Sequence, residues 1–545
     1  MKNKFLILIF IVILGACLRL FNISVLPPAL NWDEVSHGYN AYSILKTGKD
    51  QWGQLLPALN FRAYGDYPLP LNLYLTIPFV AALGLNEFSI RLPHALLGIG
   101  TIIATYFMVK GLIKKENIAL LSSLLVSVDP WTLFTSRFVL QSNLSVFLLT
   151  TSAALFFNRE KRKIFLPLSI LALGLTLYSY HTTRIVSPLI LFAAIIIYWK
   201  EIRLSWVSTA LIAAFLIPLP FIFLNPAARA RSNVVFILNE GAVANIIAKR
   251  QSSKMPQLVS RIIYNRPTYF IWHFGNNYLD YFFPKFLFFS GGTQYQFSVP
   301  NYGLMGIASL PFFYISLVWL IIKSRTVKEY RLILAWFLIA PIPASITVDK
   351  FAVLRATSML PLPELLSAIG FFVVLNHLKF EKLKWVFVTI YLACLAYGLE
   401  KYMTNYVIDY PKNYSWSWQY GYKEAVSYAK ENYEKYDKII VTKKYGEPHE
   451  YFLFYNAWDP QKYQSDPNAI RFFQSNWYWV DRFDKFYFVN DWQVRDMKLE
   501  SGSQIDCKNQ KCLLITSFEN YPEGWSKIKD INFLDGKSAF EIYEN

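Results

Sequence analysis

The sequence predicts a mostly α-helical, polytopic membrane protein of about eleven transmembrane helices, followed by a small exported α/β domain. Three observations lead there. The 545 residues are 54% hydrophobic, 18% aromatic and 17% charged, whereas soluble domains are about a quarter charged. Apolar runs of about 17 to 23 residues, the length that crosses a bilayer core, recur through the first 400 positions. Lys and Arg cluster in the short linkers between those runs, so the net charge of +17 reads as membrane orientation and not as a nucleic-acid surface.

The first span, Phe5 to Phe21, follows Lys2 and Lys4 and reads as a signal-anchor with a cytoplasmic start. Further spans are expected at 91–112, 117–134, 138–157, 163–180, 184–199, 205–224, 302–322, 330–347, 355–377 and 383–399. Lys110, Lys114 and Lys115, then Arg159 to Lys163, Lys200 and Arg203, Lys323 to Arg331, and Lys379 to Lys384 fall in alternate linkers, which makes all of them cytoplasmic. Residues 69–86 are apolar too, but counting them as a crossing would reverse that order. Pro68, Pro70 and Pro78 are expected to interrupt a helix there, so this stretch is placed at the membrane surface or on a re-entrant path.

This topology divides the chain into a membrane module, 1–399, with outer loops at 23–90 and 225–301, and an exported domain, 400–545. The tail has a helix-like stretch near 420–434 and strand-like runs at Lys438–Thr442 and Cys512–Thr516. Outside the cell, a Cys507–Cys512 disulfide would be allowed. There is no internal repeat and no long low-complexity segment.

Chemistry is therefore sought on the outer side. The first outer loop opens Asn31-Trp32-Asp33-Glu34, two adjacent carboxylates just past a span. Desolvation near the boundary would raise a carboxyl pKa and improve it as a base. The alternatives are a solvated loop or an N-cap by Asp33 ahead of the amphipathic stretch Val35 to Leu45. Further along come Tyr64-Gly65-Asp66-Tyr67-Pro68-Leu69-Pro70, Asn86-Glu87-Phe88-Ser89-Ile90-Arg91, Ser136-Arg137-Phe138, Tyr178-Ser179-Tyr180-His181-Thr182-Thr183-Arg184, and Pro341-Ile342-Pro343 with Arg355.

This ordered set, spread over about residues 1–400, resembles the multi-spanning glycosyltransferases of the C-type fold, GT-C. Those that use polyprenyl-phosphate sugars are the nearest in pattern: the protein O-mannosyltransferases and the lipid A aminoarabinose transferases. The resemblance implies sugar transfer, on the outer face of the membrane, from a polyprenyl-phosphate donor to a protein hydroxyl, a glycolipid or an envelope polymer. It makes Asp33 the catalytic acid residue, with Glu34 its neighbour. Many relatives carry a Lys just after Gly-Asp-Tyr, where this chain has Pro68, which leaves that phosphate-binding cation open, with Arg62 as one candidate substitute.

Transfer from an activated lipid requires no nucleotide, and the chain has neither a G-x-x-x-x-G-K-[ST] loop nor a D-x-D pair. What remains is to take a proton from the acceptor and to stabilise the departing lipid phosphate. Asp33 is the expected base. Arg137, Arg184 and Arg355, at the outer ends of predicted spans, are the expected phosphate partners, because a guanidinium fork suits phosphate oxygens; the alternatives are snorkelling anchors or ion pairs between helices. Arg231, with Arg229, Asp66, Tyr178 and His181 complete the candidate substrate-binding set, with turn or packing roles as their alternatives. No metal and no cofactor are expected: the six histidines show no H-E-x-x-H spacing, and the resemblance leaves a divalent ion near the first loop as an open alternative. Asp129 and Asn143 are expected near an outer helix end, and Glu364 has no assignment. The aromatic loop around Trp272 to Phe289 is expected to lie at the membrane interface. A flippase or transporter is the competing class, but transporter sites lie near the midplane between repeated halves, and no halves are visible here.

Overall fold

A computed structural model describes residues 2–202, 204–224 and 235–545. The chain forms two compact units. The first comprises Met1–Phe21, Ala95–Ser136 and Leu140–Met403; the second comprises Asn22–His94, Arg137–Val139 and Thr404–Asn545. The second unit thus unites the segment Asn22–His94 with the tail Thr404–Asn545.

The first unit is helical. Among the described residues, five helices are long and apolar enough to cross a membrane: Asn3–Leu20, Glu87–Ile113, Trp206–Leu224, Ile307–Ser324 and Glu381–Trp418. A bent pair, Val353–Met359 with Leu362–His377, would make a sixth. Spans expected at 117–134, 138–157, 163–180 and 184–199 fall on shorter helices, of which Glu116–Val128 and Gln141–Phe157 are two. The span expected over 355–377 is bent, its axis turning by 53° between the two halves. Pro361 and Pro363 are the cause, since proline removes an N–H from the ladder and biases the preceding residue away from helix.

Small hydroxyl residues let these helices approach. Ser152 and Ser169 donate to each other's carbonyl oxygens at 2.8 Å, joining the helices Gln141–Phe157 and Phe165–Leu175. Thr101, Thr105 and Ser122 donate instead to carbonyls one turn back, so their hydroxyls are satisfied within their own helices. The aromatic loop divides in two: Trp272 and Phe289 are exposed, whereas Tyr281, Phe286 and Phe288 are buried in the core with Trp131 and Phe313. The expectation of an interfacial belt therefore applies to only part of that loop.

The second unit is built on a seven-stranded mixed sheet. Its strands are β1 (Lys438–Thr442), β2 (Ile470–Gln474), β3 (Trp477–Phe483), β4 (Phe486–Val489), β5 (Cys512–Thr516), β6 (Ser526–Asn532) and β7 (Ser538–Glu544). Their order is β2-β3-β4-β1-β5-β7-β6. β1 runs parallel to β4 and β5, and the outer pairs are antiparallel. β1 is buried on both faces, as a continuous apolar run demands: Ile439 and Val441 enter one apolar cluster and Ile440 the other. The first cluster also takes in Leu30, Val35, Tyr39 and Leu73, so the outer loop supplies one wall of the sheet's core. Cys507 and Cys512 are disulfide-bonded.

One expectation within this unit is overturned. Pro70–Leu83 is a 14-residue helix, with Pro70 in its first turn and Pro78 inside it. Proline at the first turn costs nothing, because the N–H it lacks has no intrahelical partner there. His37 on the helix Trp32–Thr47 meets Thr76 at 2.8 Å, Nε2 to Oγ1, across this pair of helices.

The tightest constraint in the helical unit is Gly370, where a Cβ would collide with the main-chain carbonyl of Phe312. Gly370→Ala is expected to cost about 1–3 kcal/mol, as overpacking does. The thermal unfolding midpoint of the detergent-solubilised protein should fall accordingly; an unchanged midpoint would contradict this packing.

Candidate active site

Asn31 ends the extended segment before the helix Trp32–Thr47 and is its N-cap. Its side chain accepts from the Glu34 N–H at 3.0 Å, and Glu34 Oε2 accepts from the Asn31 N–H at 3.3 Å. This is a capping box. The cap is therefore Asn31 and not Asp33, which leaves the Asp33 side chain available for other contacts.

The two neighbouring carboxylates lie in opposite environments. Glu34 is fully buried. Its Oε1 accepts from Arg91 Nε at 2.8 Å and from the Val139 N–H at 3.1 Å, and Oε2 accepts from Arg91 Nη2 at 2.8 Å. The remaining Arg91 donors reach the carbonyls of Ile23, Pro27 and Ala29 at 3.0, 3.1 and 2.6 Å. Asp33 is exposed. The desolvated partner is instead Tyr64, which is 4% exposed and whose hydroxyl donates to Asp33 Oδ1. Burial, followed by the charge of Asp33 beside it, pushes the Tyr64 hydroxyl well above the usual phenol range, so it stays a neutral donor.

Arg137 belongs to the same unit but is fully buried. Its Nε donates to the Tyr406 hydroxyl at 3.1 Å and its guanidinium lies over that ring at 5.2 Å. Nη2 reaches the Leu26 carbonyl at 3.4 Å. Where an exposed helix end was expected, the structure buries Arg137 against Tyr406 and the Leu26 carbonyl. Asp66 is half-buried and accepts from the Tyr67 N–H at 2.7 Å, a turn contact. Arg62 lies over the rings of Tyr478 and Trp52 at 4.6 and 5.7 Å.

The other candidates gather in the helical unit. Arg184 is 7% exposed and its Nε donates to the Leu177 carbonyl at 3.1 Å, folding it back over the turn that carries Tyr178 and His181. Thr182 in that turn meets Ser358 at 3.4 Å, Oγ1 to Oγ, and so ties it to the short helical segment carrying Arg355. Arg355 pairs with Asp349 at 2.5 Å and donates to Thr347 Oγ1 at 3.2 Å. Arg231 and Arg229 lie outside the described residues. Asp129 is buried and its Oδ1 accepts from the Gly306 N–H at 2.9 Å, a bracing contact. Among the described residues no group of three or more His, Cys, Asp or Glu could hold a metal ion.

Three comparisons bear on this arrangement. Residues 9–232 match the family model for dolichyl-phosphate-mannose-protein mannosyltransferase. ArnT from Cupriavidus metallidurans, solved bound to undecaprenyl phosphate, superimposes with a TM-score of 0.53 at 10% identity over 98% of this chain and 97% of that one. The chain has the GT-C fold. The archaeal oligosaccharyltransferase AglB from Archaeoglobus fulgidus, solved with an inhibitory peptide and a dolichol-phosphate, gives a TM-score of 0.51 at 12% identity over 83% of this GT-C chain. The match spans 63% of the length of AglB. No curated protein sequence matches the chain.

Arg91 stands in the sequence only as the end of the run Asn86–Arg91, with no role attached, and Trp477 and Glu447 carry no sign of theirs. The capping pattern Asn31-x-x-Glu34 was a signal that Glu34 would be occupied; nothing local points to the other three.

Removing either member of the Glu34–Arg91 pair should be far worse than removing both. Arg91→Met or Glu34→Gln leaves an uncompensated buried group and is expected to cost about 3–5 kcal/mol, with the double variant recovering part of it. Chemical unfolding of the three variants measures this, and two independent, additive losses would contradict the pairing.

Proposed function

We propose that this protein is an integral-membrane glycosyltransferase that moves a sugar from a polyprenyl-phosphate donor to an acceptor on the outer face of the membrane. In this reading the N-terminus is cytoplasmic and the sheet unit is extracytoplasmic. The carrying observation is Asp33: an exposed carboxylate at the first turn of a rigidly capped helix, held by a buried tyrosine, in a chain with the GT-C fold.

The chemistry asks little more than such a group. The acceptor oxygen or nitrogen bonds to the anomeric carbon as the bond from that carbon to the lipid phosphate breaks. The acceptor proton passes to Asp33 and the phosphate leaves with the bonding electrons. An exposed carboxylate can meet an incoming acceptor, whereas Glu34, with Arg91 and two main-chain N–H groups upon it, holds the loop. Arg184 and Arg355 are the proposed partners of the lipid phosphate, aided by Tyr178 and His181. Arg355 would exchange Asp349 for phosphate, a substitution that favours the more highly charged, bidentate acceptor. Arg137 braces Tyr406 and the loop carbonyl of Leu26.

Asp33→Asn should reduce transfer from a radiolabelled polyprenyl-phosphate sugar by about 10²–10⁴-fold, the usual weight of a general base. Donor binding should be unchanged. Normal transfer by this variant in liposomes would refute the assignment. Arg184→Ala and Arg355→Ala should instead weaken donor binding; unaltered donor affinity in both would remove them from the site.

A further inference from the structure

Asp33 sits on the first outer loop, yet the groups behind it come from the far end of the chain. Tyr64, whose hydroxyl donates to Asp33, stacks on Trp477 of β3 with ring centroids 5.3 Å apart and planes at 29°. Trp32 meets the Tyr64 ring edge-on at 6.1 Å. The main chain fixes the same contact, because the Tyr478 N–H donates to the Tyr64 carbonyl at 2.6 Å. Gly65 leaves room for the indole: a Cβ there would collide with the Trp477 ring. Trp477 is anchored in turn, its Nε1–H donating to Glu447 Oε1 at 2.6 Å. Glu447 is 5% exposed and lies 3.4 Å from His449 Nδ1, which faces Glu450 on its other side at 3.4 Å.

We infer that Trp477 and Glu447 are positioning residues for Asp33, acting through Tyr64, so that the C-terminal sheet is part of the active centre. The inference deepens the proposed transferase reading, and only its catalytic consequence rests on that reading. An O–H donated to a carboxylate favours its charged form and fixes its direction. A phenol that is free to rotate gives little of either, because the bond must outweigh the entropy of ordering the ring. The stack on Trp477 and the Tyr478 N–H remove that freedom before any substrate arrives, and the Trp477–Glu447 bond stops the indole from turning away. The four side chains of this chain of contacts, Asp33, Tyr64, Trp477 and Glu447, come from two stretches hundreds of residues apart but belong to one compact unit.

Two readouts on the full-length protein in nanodiscs test this. The first follows the ionisation of Asp33 by difference infrared spectroscopy against Asp33→Asn, and needs no substrate. Tyr64→Phe should raise the Asp33 midpoint by about one pH unit, a tenfold change in acid dissociation. Trp477→Ala and Glu447→Leu should reproduce part of that rise, and neither should add to it in combination with Tyr64→Phe. Glu447→Gln, which keeps an acceptor for the indole N–H, should restore the wild-type midpoint, and Trp492→Phe, at a residue 76% exposed, should leave it alone. Trp477→Phe keeps the stack and serves if the alanine variant does not fold; it should shift the midpoint in the direction of Glu447→Leu.

The second readout is transfer. Tyr64→Phe, Trp477→Ala and Glu447→Leu should lower kcat with the donor KM held, and move the acid limb of the pH–rate profile to higher pH, because a base with a raised pKa is protonated over a wider range. A midpoint unmoved in Tyr64→Phe, or moved in Tyr64→Phe but not in the folded Trp477 variants and Glu447→Leu, would overturn the inference. A wild-type protein that transfers no sugar would overturn the transferase reading while the infrared titration still decides the positioning.

Discussion

The loop over residues 22–94 depends on one buried ion pair. Arg91 and Glu34 are both withdrawn from water, and the cost of doing so is recovered only if every polar atom finds a partner. Here the guanidinium spans two carboxylate oxygens and three main-chain carbonyls, while the carboxylate takes two further N–H groups. The arrangement pins together the segment after the first helix, the start of the helix Trp32–Thr47, the start of the helix Glu87–Ile113 and Val139. Arginine is suited to this because its planar fork meets several acceptors at once, which an ammonium group cannot do.

The two units answer different solvents with different means. In the helical unit, water is unavailable to satisfy the main chain, so helices satisfy their own, and serine and threonine hydroxyls either fold back one turn or bridge reciprocally between neighbours. In the sheet unit, aromatic residues dominate instead. Tyr451 stacks on Tyr422 at 4.1 Å, and Phe483, Phe486 and Phe488 pack against one another inside the first-loop wall. Aromatic rings bury large areas with few rotatable bonds, which is how a sheet of short strands gains a rigid core.

Features written into contiguous residues were legible in the sequence. The apolar runs mark helices, Lys438–Thr442 and Cys512–Thr516 are strands, the close cysteines are bonded, and the Asp33 and Tyr64 motifs fall in one unit. Features that depend on distant partners were not. Pro78 looks like a breaker by itself, yet its helix persists because its buried face packs into the unit through Leu73, Thr76 and Val80. Glu34 looks equivalent to Asp33 until Arg91, 57 residues away, is placed upon it. Trp477 sits in an ordinary Trp-Tyr-Trp strand, and its relation to Tyr64 exists only after β3 has found its place in the sheet. Arg137 carries the charge expected of a phosphate partner, but its burial against Tyr406, far along the chain, is not written in the residues around it.

The adjacent carboxylates show how a single helical turn divides labour. Successive residues on an α-helix point about 100° apart, since 3.6 residues complete a turn. Asp33 is exposed, whereas the helix is buried on every side from Glu34 to Ala41, so it is Arg91 placed against residue 34 that sets the inward acid apart from the outward one. The inward acid, Glu34, is the one with the longer side chain, long enough to reach back to the Asn31 N–H and across to Arg91 at the same time. The outward acid, Asp33, is the shorter and stiffer one, and a short carboxylate held by one buried phenol has few directions in which to point. Exchanging the two would fail on both counts: aspartate at 34 could not close the capping box and the ion pair together, and glutamate at 33 would carry its carboxylate past the Tyr64 hydroxyl. The order Asp-Glu is in this sense a geometric requirement of the loop, with the reactive position defined by what its neighbour has already been used to hold.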